Sequence, residues 1–330
     1  MRALVCTKIG GEEFLEVRDD WPETECGPTQ VRIAVHAASV NFPDVLVIRD
    51  QYQMKLEPPF VPGNECAGIV TEVGAEVDDS AVGDRVLALL GSGAFAERVL
   101  ATRPWMQVHR IPDEMPFDDA AAFNLTYGTA GLGLARGQIQ PGETVLVLGA
   151  AGGCGSAAIQ VARAMGASVI AVAGGAEKVA LCAALGADHV IDHLTTDSLS
   201  AAVKEVTAGR GVDALFDPVG GADIRENLRC LAWNGRYLVV GFAGGEIPNV
   251  KLNQTILKSI SLVGVAYGAS AIADPAANRA LFAQLFDWYR AGLLDPAIGH
   301  RFPLESGADA IRVLGERRAM GKVVIEVASL

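Results

Sequence analysis

The chain of 330 residues is longer than one hydrophobic core usually serves, so we expect two domains. Half of the residues are hydrophobic and 20% are charged, which excludes a disordered chain and indicates a globular protein. The formal net charge of −12 argues against a nucleic-acid partner, whose phosphates would be repelled. No apolar run reaches the roughly 18 residues of a membrane span and the first residues lack a signal-peptide core, so we expect a cytoplasmic protein with no membrane partner.

The first 120 residues favour short strands separated by turns. Apolar and polar residues alternate there, and turn dipeptides such as Pro58-Pro59 and Pro62-Gly63 interrupt the alternation. This pattern predicts a β-rich, partly barrel-like domain.

Residues 144–162 combine an apolar run, a glycine-rich turn and an Ala-rich segment with helical spacing. A strand, a glycine turn and a helix in that order form the first half of a dinucleotide-binding unit. The glycines let the backbone approach a pyrophosphate, and the free N–H groups of the new helix bind its charge. The residues of the turn that we expect to contact the cofactor are Gly149, Ala151, Gly152, Gly153, Cys154 and Gly155.

Strands and helices alternate after residue 140. The predicted strands are Val145–Leu148, Val169–Val172, Val190–Ile191, Val212–Phe216, Tyr237–Val240 and Ile260–Val265. Helical patterns at 156–165 and 177–185 end at glycines, which commonly stop helices. Six strands with crossovers predict an α/β fold with a doubly wound parallel sheet. After about residue 270 an amphipathic helix follows, and a final strand, Lys322–Val327, is expected to return to the first domain.

Several motifs together resemble the medium-chain dehydrogenase/reductase superfamily, and within it the zinc-free quinone oxidoreductase branch related to zeta-crystallin. The motifs are Asn41-Phe-Pro-Asp44, Pro62-Gly63-Asn64-Glu65-Cys66-Ala67-Gly68, Ala150-Ala-Gly-Gly-Cys-Gly155, Gly186-Ala-Asp-His-Val-Ile-Asp192, Phe216-Asp-Pro-Val-Gly220-Gly221 and Gly321-Lys-Val-Val. The resemblance covers nearly the whole chain. It implies a GroES-like catalytic domain at 1–124 and 268–330, and a Rossmann NADP-binding domain at 125–267.

The same resemblance bears on metal binding. Zinc enzymes of this superfamily have a Cys where this chain has Asn41 and a His where it has Asn64, and an amide is a poor zinc ligand. The cluster of cysteines that binds a structural zinc is absent, since the six cysteines are scattered with no Cys-x-x-Cys pair. We therefore expect no metal.

Without zinc, the natural reaction is hydride delivery to an acceptor that is already electron-poor. The leading hypothesis is an NADPH-dependent quinone oxidoreductase. The alternatives are an ene-reductase of α,β-unsaturated carbonyls and a non-enzymatic NADPH-binding protein with a structural or sensory role. A small-molecule acceptor, either a quinone or an enone, is the expected partner. The resemblance also implies a homodimer in which the strand Ile260–Val265 pairs with its mate.

The predicted second Rossmann strand ends without the acidic residue that usually binds the ribose 2′-hydroxyl of NAD. It ends in Gly174-Gly175, and Lys178 follows. A small residue leaves room for a 2′-phosphate, and a lysine binds phosphate as a point charge. The resemblance implies this role for Lys178, although it could also be an exposed helix-start lysine. His193 stands where the family often has a Tyr near the phosphate. These features favour NADPH over NADH.

The resemblance implies further contacts, each with a plain alternative. Thr129 matches a residue near the nicotinamide ribose, or it starts a helix. Gly241 and Phe242 match main-chain neighbours of the nicotinamide, or Phe242 belongs to the core. Arg317 matches an arginine on the adenine side, or it is an exposed helical residue.

On the substrate side, Asn41, Asp44 and Tyr52 match polar residues of quinone reductases. Asn41 is expected to donate a hydrogen bond to the oxygen that gains charge, and Tyr52 to supply a proton directly or through water. Asp44 has either a catalytic role or a structural one that holds its loop. Leu46 replaces an aromatic residue of some relatives, which makes the pocket less suited to stacking a flat ring.

Overall fold

The computed structural model describes residues 1–103, 106–221 and 224–327. The described chain divides into two compact units. The first consists of 1–125, 268–282 and 298–327, and the second of 126–267 and 283–297.

The strands in chain order are β1 (Ala3–Cys6), β2 (Leu15–Arg18), β3 (Gln30–Val40), β4 (Glu65–Val73), β5 (Arg85–Leu89), β6 (Arg98–Thr102), β7 (Gln107–Arg110), β8 (Thr144–Val147), β9 (Ser168–Ala173), β10 (His189–Asp192), β11 (Val212–Asp217), β12 (Leu231–Val239), β13 (Ser261–Gly264), β14 (Ile298–Pro303) and β15 (Lys322–Glu326). The α-helices are α1 (Phe42–Val47), α2 (Phe117–Ala121), α3 (Asn124–Arg136), α4 (Gly153–Ala164), α5 (Ala176–Ala184), α6 (Leu199–Val206), α7 (Ile224–Cys230), α8 (Asn253–Ile256), α9 (Tyr267–Ala273), α10 (Pro275–Arg290) and α11 (Gly307–Gly315). Two short 3₁₀ helices lie at Glu12–Phe14 and Leu304–Ser306.

The second unit is built on a parallel sheet with the strand order β10-β9-β8-β11-β12-β13. The order reverses between β8 and β11, which is the switch point where doubly wound folds bind nucleotides. The predicted doubly wound fold is therefore confirmed. The strand β12 begins at Leu231, earlier than the predicted Tyr237, because Leu231 is buried and pairs with Val212 at the start of β11.

The first unit is dominated by a mostly antiparallel sheet, in which β14 and β15 pair in parallel. Its order is β14-β15-β3-β4-β5-β7, and β6 pairs with β3 beside this path. The long strand β3 alternates half-buried and buried residues from Gln30 to Ala37, which gives the unit a core face, and its last residues, from Ala37 to Val40, are all buried. This sheet-rich, GroES-like domain confirms the predicted architecture. The strand β15 lies between β14 and β3, and it pairs Val323 with Val40, so the end of the chain does join the first unit.

Residues 283–297 group with the second unit, whereas the sequence places them with the C-terminal part of the first domain. Gln160 on α4 explains the grouping. Its Nε2 donates to the carbonyl of Asp295 at 2.8 Å, and its Oε1 accepts from the Asp295 N–H at 2.6 Å. This bidentate contact fixes the segment after α10 to α4.

None of the helices in the described ranges has the length and apolar character needed to cross a bilayer.

Candidate functional site

The glycine turn of the second unit lies between β8 and α4. Gly149 has a φ of 55°, a left-handed conformation that a residue with a side chain rarely adopts. A Cβ atom at Gly155 would lie 2.3 Å from the carbonyl oxygen of Gly149, so this position admits glycine alone. Gly152 caps α4, so Gly153, Cys154 and Gly155 form its first turn, the part of a helix whose N–H groups bind anions. The turn therefore fits a pyrophosphate.

Three predicted cofactor residues follow the ends of β9 and β10, and two of them, Gly174 and His193, are in contact. A Cβ atom at Gly174 would lie 2.6 Å from Nε2 of His193, so the imidazole covers this glycine. Lys178 is in the first turn of α5 and is half-buried, unlike the exposed lysine of the plain alternative. Asp192 accepts hydrogen bonds from the backbone N–H groups of Leu194 and Gly175. Both bonds lower the pKa of its carboxyl group, and the bond from Leu194 has the larger effect. Asp192 thereby holds the turn that carries Gly174.

Asp217 at the end of β11 organises a second loop of this unit. It is 2% exposed, and its Oδ1 accepts from the N–H groups of Val219 and Gly220 at 2.7 and 2.9 Å. Tyr237 donates its phenolic proton to the other carboxylate oxygen, and burial raises the pKa of Tyr237. The predicted residues Gly241 and Phe242 belong to the same loop region, since the Gly241 N–H donates to the Asp217 carbonyl at 3.2 Å.

Two predicted cofactor residues lie elsewhere. Thr129 is buried in the second turn of α3, which begins at Asn124, so it does not start a helix. Arg317 is exposed in the first unit, just after α11, and has a φ of 59°. Its N–H closes the helix end by donating to Leu314 at 3.0 Å. The cofactor contacts of both residues stay predictions.

A buried polar cluster in the first unit contains Asn41 and residues that the sequence did not single out. Lys322, at the start of β15, donates from Nζ to Oδ1 of Asn41 at 2.6 Å and lies 3.3 Å from Oε2 of Glu65. Asn41 donates from Nδ2 to the same Glu65 oxygen at 2.9 Å and faces Oδ1 of Asn64 at 3.1 Å. Ser39 donates to Oε2 of Glu65 at 2.7 Å. The amide of Asn41 thus has partners within the chain.

Asp44 has the structural contact that the sequence left as one of its two roles. Its carboxylate accepts the backbone N–H of Asn41 at 2.7 Å and also the backbone N–H of Gly63. Complete burial raises the pKa of Asp44 to about 7, although these two bonds and the positive charge of Lys322 oppose the shift. Asp44 ties the start of α1 to the loop before β4.

Tyr52 lies beyond α1 in a segment of bends, half-buried against the core of the first unit. No hydrogen bond joins its hydroxyl to Asn41 or Asp44 in the part of the chain that the structure describes. Leu46 is half-buried on α1. The three predicted catalytic residues therefore lie in one unit, but only Asn41 and Asp44 are in contact.

The buried cluster does not fit a zinc ion. Its donors are two amides, one hydroxyl and one carboxylate, whereas protein zinc sites use thiolate or imidazole with few exceptions. The ammonium of Lys322 already neutralises the carboxylate of Glu65 and would repel a second cation. No group of three or more His, Cys, Asp or Glu side chains is placed to hold a metal within residues 1–103, 106–221 and 224–327.

Sequence reasoning missed Lys322, Glu65 and Asn64 as site residues, although all three belong to motifs that carried the resemblance. The sequence feature that could have identified Lys322 and Glu65 is a charged residue at the start of an apolar strand. Lys322 opens the apolar strand β15, and Glu65 opens β4 just before the buried Cys66 and Ala67. A charge in such a position is rarely buried unless it is paired.

The geometry described above defines a nucleotide-binding α/β unit joined in one chain to a GroES-like unit, which is the architecture of dehydrogenases and reductases. Two family models match, "Alcohol dehydrogenase GroES-like domain" over residues 27–113 and "Zinc-binding dehydrogenase" over residues 153–284. The Quinone oxidoreductase-like protein 2 homolog of Nematostella vectensis is 39% identical over 98% of this chain and 88% of its own length. The Quinone oxidoreductase of Sus scrofa is 33% identical over 98% of this chain and 97% of its own length.

Among solved structures, the Escherichia coli quinone oxidoreductase complexed with NADPH is similar to this chain with a TM-score of 0.89 and 27% identity. The match covers 99% of this chain and 100% of that one. The chain belongs to the quinone oxidoreductase branch of the medium-chain dehydrogenase/reductase superfamily and is an oxidoreductase.

Proposed function

We propose that this protein is an NADPH:quinone oxidoreductase that works without a metal ion. The observation that carries the proposal is the buried cluster of Lys322, Asn41 and Glu65, which puts an ammonium and amides where a metal-assisted enzyme needs metal ligands. Nothing in this cluster can polarise an alcohol as zinc does, so an acceptor that is electron-poor by itself fits best. The printed names of the relatives support the same acceptor class.

Bound NADPH would supply a hydride, which carries two electrons to the acceptor. The acceptor oxygen gains negative charge and takes up a proton, which Tyr52 or a water molecule provides. The protein's part is to bind the nucleotide through the turn 149–155 and to place hydrogen-bond donors at the oxygen. Thr129, Gly241, Phe242 and Arg317 complete the proposed cofactor contacts.

The preference for NADPH is proposed from the ends of β9 and β10. The end of β9 offers no carboxylate to a ribose 2′-hydroxyl, and Asp192, the last residue of β10, is engaged by two backbone N–H groups. Lys178, in the first turn of α5, and His193, whose imidazole covers Gly174, are the proposed donors to a 2′-phosphate. The NADPH in the similar E. coli structure supports this assignment.

The test is Lys178→Ala. Loss of a charge-assisted phosphate contact should weaken the binding free energy of NADPH by about 1–3 kcal/mol, which raises its Kd, and should leave the Kd for NADH nearly unchanged. Calorimetric titration with both nucleotides measures this. Lys204→Ala is the matched control, since Lys204 is an exposed lysine near the end of α6. Equal weakening for NADH and NADPH would reject the phosphate role of Lys178.

Product analysis separates the remaining alternatives. A quinone reductase forms a hydroquinone, whereas an ene-reductase forms a saturated ketone from an enone with the same site residues. A protein that binds NADPH tightly but oxidises it with no quinone or enone of a broad panel would have a structural or sensory role instead.

A further inference from the structure

The amides of the buried cluster have one possible orientation, and Lys322 decides it. An ammonium donates hydrogen bonds and cannot accept them, so the Asn41 atom that lies 2.6 Å from Nζ is the carbonyl oxygen. The other end of that amide is therefore Nδ2. It faces Oε2 of Glu65 and a side-chain atom of Asn64 at 3.1 Å, which must be an acceptor, Oδ1.

Asn64 has a defined orientation as well. Because its Oδ1 is directed to Asn41, its Nδ2, the other end of the same planar amide, is directed away from Asn41. In the described residues no hydrogen-bond partner is present for this Nδ2 group, and Asn64 is half-buried. The chain of bonds from Lys322 through Asn41 to Asn64 thus ends on an amide whose N–H groups remain available.

The backbone on both sides of Asn64 is held in place. Its carbonyl accepts the N–H of Leu90 at 2.7 Å. Gly63 before it has a φ of 93° and donates its N–H to Asp44, which also holds the N–H of Asn41. A side chain placed in this way loses little entropy when it binds a ligand, which is the condition for a preorganised donor.

We propose that Asn64 donates the hydrogen bond to the carbonyl oxygen of the electron acceptor, and that Asn41 and Lys322 are positioning residues behind it. The inference rests on the proposed function in that the acceptor is a carbonyl compound such as a quinone. When hydride reaches the acceptor carbon, the oxygen gains charge and the Nδ2–H bond to it strengthens, while its proton stays on Asn64. The positive charge of Lys322 polarises both amides in the direction that makes Nδ2 of Asn64 a better donor.

The first experiment reads the hydrogen bond without turnover. Duroquinone labelled with ¹³C at the carbonyl carbons is bound to the protein in the presence of NADP⁺, which has no hydride to give, and its carbonyl stretch is measured by difference infrared spectroscopy. We expect a lower stretching frequency in the wild type than in Asn64→Ala. The nearly isosteric Asn64→Asp, read at pH 8, should also lose the shift because it has no N–H to donate.

Two further variants test the positioning roles and the specificity of the readout. Asn41→Leu breaks the bond chain but leaves Lys322 paired with Glu65, and it should reduce the shift. Asn278→Ala removes another buried amide of the first unit, which donates to Gln107 and lies 3.1 Å from Nε2 of His109. This variant is the control and should show the same carbonyl frequency as the wild type. Equal frequencies in the wild type and both Asn64 variants, or no binding of duroquinone to the wild type, would overturn the proposal.

Steady-state kinetics supply the second readout. Asn64→Ala should lower kcat/KM for duroquinone about 100-fold, the usual cost of one oxyanion donor, with no change in the Kd for NADPH. An unchanged kcat/KM overturns the role of Asn64. If the wild type reduces no quinone but still shows the shifted carbonyl band, the quinone reductase function fails and the assignment of Asn64 as a carbonyl donor stands.

Discussion

Lys322 is 4% exposed and Glu65 is fully buried, so each charge depends on the other. Burying a single charge costs several kcal/mol, and a pair regains this free energy only when further hydrogen bonds satisfy both groups. Here Ser39, Asn41 and the N–H of Leu125 satisfy the carboxylate, and Asn41 also accepts from the ammonium. The pair therefore fixes the orientation of the neighbouring amides. We expect its main effect to be on this orientation and not on the free energy of unfolding.

Asp44 makes the stability of the first unit depend on pH. Its pKa is raised to about 7 in the folded chain from an ordinary value of 3.8, so the folded state binds a proton that the unfolded state has already released. The stability contributed by the protonated form is present below pH 3.8 and is lost as the pH rises to about 7.

Asp44→Asn removes this titration and keeps an oxygen to accept the N–H of Asn41. We expect the variant to gain stability relative to the wild type as the pH rises from 5 to about 7, by about 1.4 kcal/mol for each pH unit, and to gain little above pH 7, where Asp44 has lost its proton in both the folded and the unfolded state. Urea unfolding at several pH values measures the difference. Asp309→Asn, an exposed carboxyl group on α11, is the control. A constant difference across the pH range would show that Asp44 titrates normally.

At the scale of elements, the sheet of the second unit ends at β13. Its one strand neighbour in the described chain is β12, and Ser261, Leu262 and Gly264 are exposed. An exposed apolar edge strand invites pairing with a second copy. This edge is the surface that we propose for the homodimer.

Leu262→Lys tests the proposed dimer. Two copies paired through β13 would bring the new lysines close together, and like charges across paired strands are destabilising. Analytical ultracentrifugation at micromolar concentration should show a dimer for the wild type and a monomer for the variant. Ile272→Lys, which charges a similarly exposed side chain on α9, should leave the dimer intact. A dimer that survives Leu262→Lys uses another surface.

At the scale of the whole molecule, both ends of the chain build the first unit. The pairing of Val323 with Val40 brings Lys322 to Asn41, although 281 positions separate these two residues along the chain. Along the chain, residues 126–267 of the second unit come between these terminal segments, and this unit has its own parallel sheet and glycine turn. The buried positive charge beside Glu65 is therefore the ammonium group of Lys322, a residue of the chain, and not a metal ion.

This internal cation predicts that the purified protein needs no zinc. Elemental analysis should find less than stoichiometric zinc, and prolonged chelation should leave both the Tm and the rate of duroquinone reduction unchanged, because the Lys322 ammonium disfavours a second cation beside Glu65. Added zinc after chelation serves as the control and should not raise the rate. One zinc ion per chain, lost together with activity, would contradict the proposed metal-free reaction.

The elements whose signals are local could be predicted from the amino-acid sequence. At residues 144–164, the order of an apolar run, a glycine turn and a helical pattern predicts a strand, a turn and a helix. The remaining strands of the parallel sheet are recognisable as short apolar runs between helical patterns. The sequence also indicated the candidate residues Asn41, Asp44 and Gly174, since the resemblance rests on contiguous motifs.

The contacts between residues that are distant along the chain follow from the folded structure. A lysine at the start of an apolar strand could face solvent, and only the pairing of β15 with β3 places Lys322 against Asn41 and Glu65. The direction of each amide follows from that contact, as does the raised pKa of Asp44 from its burial. Hydrogen bonding and burial are set by neighbours in space, and no local spacing records which side chains a fold will bring within 3 Å of each other.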